Sequence, residues 1–139
     1  MLDKNAVLNI AKKLDLPPEQ YLIFAGGSLA THGIRETGDV DMVVTPELFA
    51  SLKESGVWKH STRWEDNIEF LARGDVEIAS KLEWDEYPVT LVEAKSREDI
   101  IDGIPFMSLK DIIQFKQAYG RKKDQRDIML INEYLEANG

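Results

Sequence analysis

The chain has 139 residues, a length that suits one domain able to bury its own core. Its formal charge is −8, from 17 basic and 25 acidic side chains, which argues against duplex DNA held through its phosphates but allows a nucleotide in a local pocket. With no cysteine, disulfides, thiolate zinc sites and cysteine nucleophiles are excluded; with only two histidines, a metal would rest on oxygen ligands, which suit Mg²⁺ or Mn²⁺.

No apolar run approaches the ~20 residues that a membrane-spanning helix needs. Asp3 and Lys4 stand where a secretory leader would be basic and then apolar, so a cytoplasmic protein without a membrane partner is expected. Residues 3–15 carry Val7, Ile10, Ala11 and Leu14 at helical spacing, and Pro17-Pro18 stops that helix. Residues 21–25, YLIFA, read as a buried strand broken by Gly26-Gly27, after which Ser28 caps a short helix to residue 34. Residues 39–44, DVDMVV, read as a second strand.

Thr45-Pro46-Glu47 places a cap residue before a first-turn proline and opens a helix that ends near Gly56. Residues 58–80 read as strands with turns, with NIEFLA and VEIAS flanking RGD as a hairpin, and residues 89–92 as a further strand. Ser108, followed by Asp111, starts a helix to Tyr119 that Gly120 stops, and a last helix covers residues 124–137. This order predicts a single α+β domain over residues 1–139, a small mixed, twisted sheet packed with helices.

Alternation along a strand points Asp39 and Asp41 the same way, with Cα atoms about 6.5 Å apart. Two such carboxylates repel unless a positive group lies between them, and a divalent cation with substrate phosphates answers that need. The bland alternative is a pair of solvated aspartates at a strand start. Gly26-Gly27-Ser28 opens a helix, where free N–H groups can cradle an anion; the bland alternative there is an ordinary strand-to-helix turn. Lys116 shares a helical stripe with Leu109, Ile112 and Ile113, so it either snorkels to water or projects into a cleft.

The segment AGGSLATHGIRETGDVDMVV resembles the signature of the nucleotidyltransferase (polymerase-beta-like) superfamily: Gly27-Ser28, a ten-residue spacer, then Asp39 and Asp41 in an acid-hydrophobic-acid setting. The C-terminal stretch IPFMSLKDIIQFKQAYGRKKDQRDIMLINEYL resembles the small bacterial toxin-type branch related to AbiEii, with Lys116, Arg121, Lys123, Asp124 and Asp127 on its pattern. The resemblance implies the polymerase-beta-like fold and a third carboxylate from a later strand. Glu77, in Val76-Glu77-Ile78, is preferred over Glu69 for that role. It further implies that Asp39, Asp41 and Glu77 hold the metal, that Gly27 and Ser28 clasp phosphates, and that Lys116, Arg121 and Lys123 complete the clamp. Asp124 and Asp127 are expected to cap or pair locally.

The function so implied is Mg²⁺- or Mn²⁺-dependent transfer of a nucleoside monophosphate from an NTP to an unidentified acceptor hydroxyl on a small molecule, a protein or an RNA end. The alternative is a non-catalytic member that binds a nucleotide or a partner protein, as in a toxin–antitoxin pair. A chain of this size is little more than a catalytic core, so a homo-oligomer or partner protein would complete an acceptor site.

Overall fold

Four of the helices start where a side chain, Asp3, Thr45, Thr90 or Ser108, accepts from one of the free N–H groups of the first turn. Asp3 Oδ1 accepts from the Ala6 N–H at 2.9 Å and opens α1 (Lys4–Leu14), which closes at Asp15 in the left-handed region. A single 3-10 turn leads into β1 (Tyr21–Phe24), then α2 (Gly26–Thr31) and β2 (Val40–Val44). Thr45 Oγ1 accepts from Leu48 N–H and caps α3 (Pro46–Glu54). The strands β3 (Lys59–Arg63), β4 (Ile68–Arg73) and β5 (Val76–Ala79) follow as an antiparallel series. Then come α4 (Leu91–Lys95), β6 (Asp99–Ile101), β7 (Ile104–Phe106), α5 (Leu109–Tyr119) and α6 (Lys122–Asn138). The computed structural model describes residues 1–138.

All seven strands form one mixed sheet in the order β3-β4-β5-β2-β1-β7-β6. At its centre β1 and β2 run antiparallel, while β2 pairs parallel with β5 and β1 parallel with β7. Alternation then sorts the side chains. Tyr21, Ile23, Val40, Met42, Val44, Leu71 and Ile78 pack against Val7, Leu8 and Ala11 of α1 and Phe49 of α3. On the other face Leu22 and Val43 pack with Leu109, Ile112 and Phe115 of α5 and Ile131 of α6. Each fully buried side chain of this size stabilises the fold by about 1.5–3 kcal/mol, so two covered faces hold the sheet between helical layers.

The α+β class and the hairpin of β4 and β5 agree with the sequence. Residues 89–92, expected as a strand, instead enter α4. Thr90 Oγ1 accepts from Glu93 N–H at 3.2 Å and Glu93 Oε1 accepts from Thr90 N–H at 3.4 Å, a reciprocal cap that fixes a helix start. The short helix takes in the glycines, so Ser28 lies inside it rather than capping it, and it ends at Thr31 rather than residue 34. A further hairpin, β6–β7, turns at Asp102 (φ 53°) and Gly103 (φ 78°), the two positive dihedrals that a tight two-residue turn demands. Among the described residues no helix is long and apolar enough to cross a membrane.

Candidate functional site

The register of the central strands brings carboxylates together. β2 and β5 are parallel with Asp41 beside Glu77 and Val40 beside Val76. Paired strands lie about 4.8 Å apart, so the Asp41 and Glu77 side chains leave the same face as neighbours. That face belongs to α5 and α6, and Asp41 stands on it in line with the buried Val43. Asp39 sits in the bend just before β2. Asp41 is half-buried, whereas Asp39 and Glu77 are exposed. Burial, then the charges of Asp39 and Glu77, push the Asp41 carboxyl up to about 7, against the opposing pull of Lys116 and Lys123.

Glu69 is placed elsewhere. β4 pairs with β5 so that Leu71 lies opposite Ile78, and both enter the core beneath α1 and α3. Glu69, two residues before Leu71, shares that side. Its carboxylate lies 2.8 Å from His60 Nε2 and 3.0 Å from Lys53 Nζ, and these two partners hold it below its ordinary value. Of the two candidate glutamates, Glu77 is the one on the face of Asp41.

The glycine turn has a packing reason. A Cβ at Gly26 would collide with Thr37 Oγ1, and one at Gly27 would come within 2.6 Å of Ile23 Cγ2. The unusual backbone belongs to the residue before them: Ala25 holds φ 56° and ψ −130°, a region that side chains other than glycine rarely enter. Ser28 is fully buried and its hydroxyl donates to the Ile23 carbonyl at 3.3 Å. The turn therefore presents Phe24, Ala25 and Gly26 to the adjoining cleft, with Gly27 and Ser28 behind them.

That cleft has a volume of about 490 Å³, within the range of small-molecule sites. Asp39, Asp41, Glu77, Lys116, Arg121 and Lys123 all line it, so six of the eight residues singled out in the sequence meet in one place. Its cationic wall is an alternating network. Lys116 Nζ lies 2.9 Å from Asp127 Oδ2 and 3.3 Å from Asp124 Oδ1. Arg121 Nε donates to Asp124 at 2.6 Å, and Arg35 donates to both Asp127 oxygens at 2.7 and 2.8 Å.

Two buried acids thus hold three cations, and the wall keeps a net positive charge opposite the carboxylates. Burial opposes ionisation at Asp124, but Arg121 and Lys116 outweigh it; Arg35 and Lys116 do the same at Asp127. Both carboxyls lie below their ordinary value. Lys116 does not snorkel: it is buried and spent on two aspartates. Lys123 is exposed at the cleft.

Sequence reasoning missed Arg35, Arg63 and Lys81, which line the cleft together with Trp84. Arg35 carries no local signal, because its partner Asp127 is 92 residues away.

Among the described residues, no three His, Asp or Glu side chains form a preassembled metal cage. The donor set nevertheless fits a hard divalent cation. Mg²⁺ commonly takes one or two protein carboxylates and completes its shell with phosphate oxygens and water, and Asp41 with Glu77 or Asp39 supplies that number of oxygen ligands. In comparisons with known proteins, no family model, no curated protein and no solved structure matches the chain.

Proposed function

We propose that the protein is a divalent-cation-dependent nucleotidyltransferase of the polymerase-beta-like kind, moving a nucleoside monophosphate from an NTP to an acceptor hydroxyl. The observation that carries this reading is the side-by-side placement of Asp41 and Glu77, with Asp39 before them, in a cleft walled by cations. A cation held by Asp39 and Asp41 would neutralise charge on the α-phosphate and the leaving pyrophosphate. The protein's own groups supply the rest.

The acceptor oxygen attacks the α-phosphorus, the bond to the bridging oxygen breaks, and pyrophosphate leaves. Glu77 is exposed and has no salt-bridge partner among the described residues, so it is the carboxylate able to take the acceptor's proton. Arg121 and Lys123 face the phosphates, and the buried Lys116 fixes the wall they stand on.

A second reading, a nucleotide- or partner-binding member without catalysis, draws on Ser28 and Lys116. Both are engaged within the protein, which removes two of the expected phosphate contacts. Calorimetry with Mg²⁺ and each NTP tests the first step: binding should require the metal and vanish in Asp39→Ala/Asp41→Ala. Release of pyrophosphate on adding candidate acceptors then separates transfer from binding alone, and absence of NTP binding in the unaltered protein would refute both nucleotide readings.

A further inference from the structure

The cleft has an apolar half that neither a metal nor a phosphate would use. It begins beside the carboxylates, because Phe24 stands opposite Asp41 in the β1–β2 register. The Phe24 ring meets Phe115 edge-on at 5.4 Å, and Phe115 in turn meets Trp84 at 5.3 Å and Tyr119 at 5.2 Å. Trp84 and Tyr119 lie 4.7 Å apart with their rings tilted by 41°. Phe115 is buried, as a core residue should be, but Trp84 and Tyr119 are half-buried and line the cleft. The Arg121 guanidinium lies 4.5 Å from the Tyr119 ring centre, so the aromatic end touches the cationic wall.

We propose that Trp84 and Tyr119 form the shelf on which the base of the nucleotide stacks, while the ribose spans the Phe24–Phe115 step toward the carboxylates. This rests on the nucleotidyltransferase reading and adds the residues that hold the base. Two ring-to-ring steps separate the shelf from Asp41, which leaves room for a sugar between base and α-phosphate. Every base has a π-face, so a stacking shelf accepts all four and favours the purines for their larger area.

The test compares ATP with inorganic tripolyphosphate, each with Mg²⁺, by calorimetry on the unaltered protein, Trp84→Ala, Trp84→Phe and Trp84→Leu. Tripolyphosphate has no base, so its affinity should be the same in all four proteins, and this also reports an intact fold. ATP should weaken by about tenfold in Trp84→Ala and recover in Trp84→Phe. If Trp84→Ala does not fold, Trp84→Leu, which keeps more of the side-chain volume, carries the same comparison.

Equal losses for ATP and tripolyphosphate, or no loss for ATP, would overturn the shelf while leaving the nucleotidyltransferase reading standing. Failure of the unaltered protein to bind either ligand would overturn that reading and the shelf with it.

Discussion

Replacing Lys116 by methionine keeps the length of the side chain and removes only its charge. Asp124 is then left with Arg121 alone and Asp127 with Arg35 alone, both carboxylates still buried. Breaking a buried ion pair by deleting one partner costs 3–5 kcal/mol. Each acid here keeps an arginine, so the lower end applies, about 3 kcal/mol. For a chain of 139 residues that corresponds to a fall in Tm of about 10 °C, measurable by calorimetry or circular dichroism.

The pH dependence has a definite sign. Asp124 and Asp127 have folded values below the ordinary 3.8, so their contribution is present above that pH and is lost as pH falls through the folded values. The gap in stability between the two proteins should therefore narrow below pH 3.8. A Tm within 3 °C of the unaltered protein at pH 7, with NTP binding lost, would refute this reasoning and make Lys116 a phosphate arm rather than part of the wall.

Asp41 behaves in the opposite way. Its folded value is raised from 3.8 to about 7, so ionisation above pH 7 costs stability, and that cost disappears as pH falls from 7 toward 3.8. In chelator-treated protein, Asp41→Asn should raise Tm at pH 8 by several degrees, from at most about 4 kcal/mol, with little gain at pH 4; equal gains at both would count against the assignment. Ala25→Gly should stabilise by about 1 kcal/mol in urea unfolding, since relief of strain exceeds the entropy glycine adds to the unfolded chain. Glu77→Gln should slow pyrophosphate release by about 100-fold or more while ATP still binds, whereas Glu69→Gln should leave the rate unchanged and cost less than about 1 kcal/mol of stability.

Much of the fold is local chemistry and was legible as such. Thr45-Pro46 and Ser108 with Gly120 bound α3 and α5 because caps and stops act over one turn. Thr90 and Glu93 carried an equally local signal, but the β-branched residues around them read as a strand. The β6–β7 hairpin had its Asp-Gly turn in plain view, yet its strands are three residues long and one holds Pro105. The carboxylate pair was legible only up to a point: Glu69 and Glu77 both sit between apolar residues, and only the pairing of β5 with β2 and β4 puts Glu77 on the face of Asp41. Lys116 was recognisable as unusual for its position, but its partners, like that of Ser28, are set by tertiary packing. The link from Arg35 to α6 spans most of the chain and leaves no trace in any short window.

Diffraction from crystals grown with Mn²⁺ and a non-hydrolysable NTP analogue, recorded for the anomalous signal of manganese, tests the central claim most directly. The account predicts an anomalous peak between the Asp39 and Asp41 carboxylates, with the analogue's phosphates turned toward Arg121 and Lys123. Nucleotide bound elsewhere on the protein, or manganese found away from Asp39, Asp41 and Glu77, would contradict it.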